Sequence, residues 1–141
     1  MIKKIIHTGN EMKKYLLATV VFVCSSVFAH SNESINIEGN YFCTGTEFDT
    51  KAPFKCDESI KKSGDTYAFT ATCNDGTSYV GTGIFDSKQH NLSIAFRNNK
   101  NLKEVGISVK SIRNDGKMIG KWTNLDKSTI GRTNCTKQKN K

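Results

Sequence analysis

The chain has 141 residues with a formal net charge of +8 and five cysteines, and 36% of its residues are hydrophobic. This length suits one domain with a modest core. The basic balance is moderate and has no aromatic residues interleaved with the lysines, so it does not indicate a nucleic-acid partner.

The N-terminal residues predict an export signal. Residues 12–29 (MKKYLLATVVFVCSSVFA) carry two lysines, then a short apolar run, then a Val-Phe-Ala site of the kind that signal peptidase cleaves. We therefore expect translation to start at Met12, with residues 1–11 as an upstream extension and cleavage between Ala29 and His30. The apolar run is too short for a membrane-spanning helix. Two alternatives stay open, namely a lipid anchor on Cys24 and an uncleaved N-terminal anchor.

Removal of residues 1–29 leaves a product of 112 residues, with 17 basic and 12 acidic side chains. Its net charge is then +5, which we interpret as ordinary solvated surface charge. We divide it into a flexible polar segment at residues 30–38, a folded domain at residues 39–137 and a basic tail at residues 138–141. The predicted location is the periplasm or the extracellular medium, with no membrane span after signal removal.

The clearest local signal is a hairpin over residues 56–73 (CDESIKKSGDTYAFTATC). Gly64 and Asp65 suit a two-residue turn, because both residue types tolerate positive φ. This turn places Cys56 directly opposite Cys73, in a pair without ladder hydrogen bonds. Cα atoms in such a pair lie about 4.5 Å apart, which a disulfide can span.

Four cysteines remain after signal removal, which indicates two disulfides in an exported chain. The hairpin register predicts Cys56–Cys73, and the remaining pair is then Cys43–Cys135. The alternative is a set of four reduced thiols in a protein that stays in the cytosol. Metal ligation is not expected, because there is no C-x-x-C and the product has only His30 and His90.

Alternating apolar and polar residues predict eight strands joined by short polar turns. The first covers Tyr41–Thr46, and two more form the hairpin. The hairpin's inner face comprises Phe54, Cys56, Glu58, Ile60, Tyr67, Phe69 and Ala71. Further strands are predicted near residues 78–84, 92–97, 105–110, 118–122 and 130–136.

The turn at residues 74–77 (NDGT) predicts a second tight hairpin, since Asp-Gly is a strong turn signal. A two-residue turn here pairs Cys73 with Ser78. It continues the inner face through Val80, Thr82 and Ile84. Glycines in this strand indicate bending or close approach.

Eight consecutive antiparallel strands form either a closed up-and-down barrel or a sandwich. The predicted Cys43–Cys135 bond favours the barrel, because it joins the first strand to the last. Closure also removes unpaired sheet edges. An eight-stranded barrel has an interior that side chains fill or that holds one small ligand.

Residues 39–41 (GNY) near the first strand and residues 120–123 (GKWT) in the seventh resemble small lipocalin-like and avidin-like barrels, of the calycin type. More narrowly, residues 39–137 are similar to functionally uncharacterised exported barrels of Gram-negative bacteria. The resemblance implies an all-β barrel, and it offers a ligand pocket only as an analogy at the level of the fold. Biotin binding is not implied, because avidins line their pocket with several tryptophans and this chain has one.

Glu58 is the most informative candidate site residue, because the hairpin register directs a carboxylate into the core. A buried carboxylate needs a partner or a raised pKa. Glu58 is then a ligand-orienting group at a barrel mouth, or it pairs with a lysine such as Lys62, or a bulge turns it outward. The other candidate cavity residues are aromatic, and plain core packing is their alternative role: Tyr41, Tyr67, Phe69 and Trp122.

The sequence contains none of the common catalytic or phosphate-binding motifs. We therefore expect a non-enzymatic binding protein without a cofactor, whose partner is a small apolar ligand or a macromolecule. One alternative is an inhibitor of a protease or host factor that acts through a loop or through residues 30–38. An enzyme with an unrecognised site is the third possibility.

Overall fold

The computed structural model describes residues 35–47 and 49–139. The predicted start at Met12, the cleavage between Ala29 and His30 and the tail residues 140–141 lie outside this part of the chain. Within it, no helix is long and apolar enough to cross a membrane.

The described residues form eight antiparallel strands that close into a barrel, each strand pairing with its neighbours in sequence. This confirms the predicted up-and-down barrel and excludes the sandwich. The strands are β1 (Gly39–Thr46), β2 (Pro53–Ser63), β3 (Thr66–Cys73), β4 (Ser78–Asp86), β5 (Asn91–Asn98), β6 (Val105–Ile112), β7 (Met118–Asn124) and β8 (Gly131–Lys137).

Both predicted disulfides are present. Cys43–Cys135 joins β1 to β8 where the barrel closes, and Cys56–Cys73 joins β2 to β3. The four cysteines form one row across four adjacent strands, because Cys43 also lies opposite Cys56. The Cα atoms are 4.0 Å apart in each bonded pair, the short spacing of pairs without ladder hydrogen bonds.

The predicted register of the β2–β3 hairpin is confirmed. Ser63 lies opposite Thr66, and positive φ occurs at Gly64, the first of the two turn residues. Side chains therefore alternate as expected, and Cys56 and Glu58 point into the barrel. No bulge turns Glu58 outward.

The predicted register of β3 against β4 is wrong by one residue. Thr72, not Cys73, lies opposite Ser78. The Cys73 carbonyl accepts a hydrogen bond from Gly76 N–H, the Cys73 N–H donates to the Thr77 carbonyl, and Gly76 has a φ of 81°. These features define a three-residue loop with a glycine bulge in place of a two-residue turn.

This shift of one residue reverses the faces of β4, because side chains alternate with a period of two. Ile84 is 67% exposed on the outside of the barrel. The residues predicted to face inward lie on the outer face of β4: Ser78, Val80, Thr82 and Ile84. The inner face consists of two aromatic residues and two glycines: Tyr79, Gly81, Gly83 and Phe85.

Residues 35–38 are anchored to the barrel, so the predicted flexible segment does not extend through them. Ile37 is 1% exposed, and its carbonyl accepts a hydrogen bond from the Tyr41 hydroxyl at 2.8 Å. Glu38 accepts from the Lys62 backbone N–H, and Lys137 Nζ donates to a backbone carbonyl in the segment. Residues 30–34 lie outside the described part.

The interior of the barrel has two distinct halves. The half near Ile37, which we call the closed half, is a packed apolar core. The opposite half lies at the end of the barrel that carries the loops connecting β1 to β2, β3 to β4, β5 to β6 and β7 to β8. We call this the open half. The core residues of the closed half are Ile37, Tyr41, Ile60, Leu92, Ile94, Ile112 and Met118.

Candidate functional site

The open half contains a cavity of about 70 Å³. A single water needs about 10–15 Å³ of such space, so the cavity holds roughly five water-sized groups. Its walls are largely aromatic and its floor and rim carry charge. The lining residues that matter most are Phe54, Phe69, Phe96, Trp122, Glu58 and Lys110.

Inward-facing glycines leave the space for this cavity. Three aromatic residues in the open half each lie directly opposite a glycine on the next strand. A Cβ atom on any of these glycines would overlap the opposing ring. Each ring therefore lies against the backbone of the neighbouring strand, in the space that a side chain would otherwise fill. The rings therefore line the wall instead of meeting at the barrel axis. The pairs are Phe54 with Gly45, Phe96 with Gly106, and Trp122 with Gly131.

The aromatic residues form two edge-to-face pairs within the lining. Phe54 and Trp122 have ring centroids 6.0 Å apart, and Tyr79 and Phe96 have centroids 5.6 Å apart. Both separations are typical of favourable aromatic contacts. Phe69 also lines the cavity and is buried. The walls thus present several π-systems to whatever enters.

The floor is a buried ion pair between Glu58 and Lys110. Lys110 Nζ lies 2.6 Å from Glu58 Oε2, and Lys110 and Glu58 are 2% and 6% exposed. The predicted lysine partner exists but is not Lys62, whose Nζ lies near the Tyr67 hydroxyl outside the cavity. Breaking a buried pair of this kind is costly, since the remaining charge has no counter-ion.

The Cys43–Cys135 disulfide contacts this ion pair. Cys135 Sγ lies 3.5 Å from Lys110 Nζ and 3.8 Å from Glu58 Oε2. Three potential metal-ligand atoms thus fall within 4.8 Å of one another. They do not form a metal centre, because the two sulfurs are bonded to each other and the carboxylate is already neutralised by Lys110.

Thr133 adds a polar group beside the floor. It is 5% exposed and lines the cavity, and among the described residues its hydroxyl has no hydrogen-bond partner. A Cβ at Gly120 would overlap this hydroxyl and approach the aliphatic stem of Lys110. Gly120 therefore makes room for both side chains. A buried hydroxyl without a partner is a natural contact for a polar ligand atom.

The rim of the cavity is acidic. Glu47 and Asp75 line the opening, and Glu104 accepts hydrogen bonds from the Tyr79 hydroxyl at 3.1 Å and from the Asn98 amide at 3.0 Å. Burial, with the nearby Glu104 charge, raises the pKa of Tyr79 to about 12. Tyr79 is therefore a neutral hydrogen-bond donor at any ordinary pH.

The pKa values of two rim carboxylates shift in opposite directions. Burial, followed by repulsion from Asp75, Glu104 and Asp49, raises the pKa of Glu47. Hydrogen bonds from the Thr77 hydroxyl and backbone N–H lower the pKa of Asp75. Lys127 pairs with Asp49 at 3.7 Å, and the nearby Lys100 charge also lowers the pKa of Asp75.

The structure brings together three of the five residues predicted for a cavity. Glu58, Phe69 and Trp122 line it. Tyr41 lies in the closed half against Ile37, and Tyr67 packs edge-to-face with Phe85 at the margin of the same core. These two tyrosines therefore serve packing in the closed half.

Lys110 is the functional residue that sequence reasoning missed. It belongs to β6, in which Val105, Ile107 and Val109 alternate with Lys110 and its neighbours and form the more apolar face of the strand. That apolar side faces outward, and Ile107 is 59% exposed. The signal in the sequence is indirect: an inward-facing Glu58 requires a cation, and Gly120 opposite Lys110 provides the space.

No model of a known protein family matches the sequence, and no curated protein matches it at a significant level. The fold and the site therefore define the class to which the chain belongs. It is a small all-β barrel with two disulfides, in which a buried ion pair separates a packed core from an aromatic-lined cavity.

Proposed function

We propose that this protein is an exported, non-enzymatic barrel that binds one small ligand in the cavity of its open half. The observation that carries the proposal is the aromatic-lined cavity above the Glu58–Lys110 pair. Ligand sites in proteins are concave and mostly apolar, with a few polar groups that fix orientation. This cavity has that composition.

Export is supported by two independent features. Residues 12–29 have the pattern of a signal peptide, and two disulfides persist best in an oxidising compartment. The lipocalin-like resemblance fits the same proposal, since such barrels carry small molecules inside. The anchored residues 35–38 give no support to a mechanism in which that segment inserts into a protease.

The proposal is tested by filling the cavity. Ala71 lines it from β3, whereas Ala68 on the same strand faces outward. We expect Ala71→Leu to weaken binding of a small neutral probe, 3,3-dimethylbutan-1-ol, by about tenfold or more, since a few methylenes of contact are each worth about 0.8 kcal/mol. Fluorescence of Trp122, the only tryptophan in the chain, reports the binding.

Ala68→Leu is the matched control, with the same added volume outside the barrel. It should leave the dissociation constant of the probe unchanged. Thermal unfolding of both variants checks that each is folded. Equal binding by the two variants, or no response of Trp122 to the probe in the unmodified protein, would overturn the proposal.

A further inference from the structure

We propose that the ligand is a small organic cation, of the alkylammonium type, held between the aromatic walls and the acidic rim. This inference rests on the proposed function and adds the chemical class of the ligand. Two observations support it: carboxylates lie at the rim of the cavity, and aromatic rings line its walls.

The charge around the cavity is opposite to that of the whole chain. The chain is basic, with a formal net charge of +8. The cavity lining nevertheless contains three carboxylates, Glu47, Glu58 and Asp75, and one amine, Lys110. Lys110 is neutralised by Glu58 at 2.6 Å. At the rim the Lys100 charge acts on Asp75. The net negative charge there therefore comes mainly from Glu47 and the neighbouring Glu104.

The aromatic walls are suited to the same ligand. A cation within about 6 Å of an aromatic ring centroid is attracted by the negative face of the ring. Phe54 and Trp122 line the space below the rim on one side, and Tyr79 and Phe96 line it on the other. A purely apolar ligand would use these walls but would gain nothing from the carboxylates above them.

The size and the floor favour a compact alkylammonium with a hydroxyl group. The cavity has about 70 Å³ of space, which suits a compact group such as trimethylammonium. The Thr133 hydroxyl beside the floor has no partner among the described residues and can hydrogen-bond a hydroxyl of the ligand. The cationic end then lies in the aromatic layer, below Glu47.

The experiment compares choline with 3,3-dimethylbutan-1-ol, which has the same shape and hydroxyl but no charge. Both are titrated against the full-length protein with Trp122 fluorescence as the readout. We expect the dissociation constant of choline to be lower by about tenfold, the size of a partly buried cation contact. Glu47→Gln should reduce this preference several-fold, as measured by the ratio of the two dissociation constants.

Asp65→Asn is the charge-matched control, because Asp65 lies in the exposed β2–β3 turn at the other end of the barrel. It should leave both dissociation constants unchanged. If the alcohol binds and choline binds no more tightly, the cation inference is overturned while the proposed function stands. If neither probe binds, the proposed function fails and the cation inference fails with it. A choline preference that survives Glu47→Gln and the Glu47→Gln, Glu104→Gln double variant would exclude the rim as its source.

Discussion

At the scale of single residues, the Glu58–Lys110 pair divides the barrel interior. Below it the side chains pack as an apolar core, and above it they leave a cavity. Each buried charge has a large desolvation cost, which the attraction between the two charges only roughly offsets. The pair is therefore favourable compared with a single unpaired buried charge, but not compared with two apolar side chains. The pair therefore fixes the arrangement of the floor more than it adds to stability.

This view predicts a strongly non-additive pair of substitutions. Glu58→Met and Lys110→Met should each destabilise the fold by about 3–5 kcal/mol, because each leaves one buried charge unpaired. The double variant should lie within about 1 kcal/mol of the unmodified protein, since two apolar side chains of similar length replace the pair. Urea unfolding of the four proteins measures the coupling. Additive losses in the double variant would contradict this view.

At the scale of elements, turn chemistry decided what could be predicted. The Gly64-Asp65 turn fixed the β2–β3 register, and with it the Cys56–Cys73 bond and the inward direction of Glu58. The Asn74-Asp75-Gly76 segment is compatible with both a two-residue turn and a three-residue bulged loop. These differ by one residue, so the wrong choice inverted β4. In β6 the apolar face turned outward, which no local pattern reveals.

The two disulfides should contribute unequally. Cys43–Cys135 closes a separation of 92 residues and Cys56–Cys73 one of 17. Loop-closure entropy of the unfolded chain then makes the long-range bond worth about 1.5 kcal/mol more. We expect Cys43→Ala with Cys135→Ala to lower the free energy of unfolding by more than Cys56→Ala with Cys73→Ala, as measured in urea. Equal losses, or a larger loss for the hairpin bond, would contradict the expected order of the two loop-closure contributions.

At the scale of the whole molecule, the acidic rim on a basic protein makes stability depend on pH. The pKa of Glu47 is raised in the folded state by burial and by Asp75, Glu104 and Asp49. Between its ordinary value and the raised value the folded state binds more protons than the unfolded state. The contribution of Glu47 to stability therefore falls as pH rises through that window.

Glu47→Gln should consequently raise the melting temperature at neutral pH, by less than about 5 °C because the site is partly solvated. At a pH below the ordinary value for a glutamate, near pH 4, the difference should largely vanish. Differential scanning calorimetry of both proteins at the two pH values tests the sign. A lower melting temperature for the variant at neutral pH would contradict the repulsion among the rim carboxylates.

The most direct measurement of the central claim is the position of a bound probe. Nuclear Overhauser effects from the methyl protons of 3,3-dimethylbutan-1-ol should appear at the rings of Phe69, Phe96 and Trp122, which the structure places around the cavity. Contacts only to Ile84 and Ile107 on the outer surface would mean that the barrel interior takes no ligand, and they would contradict a binding function for the cavity.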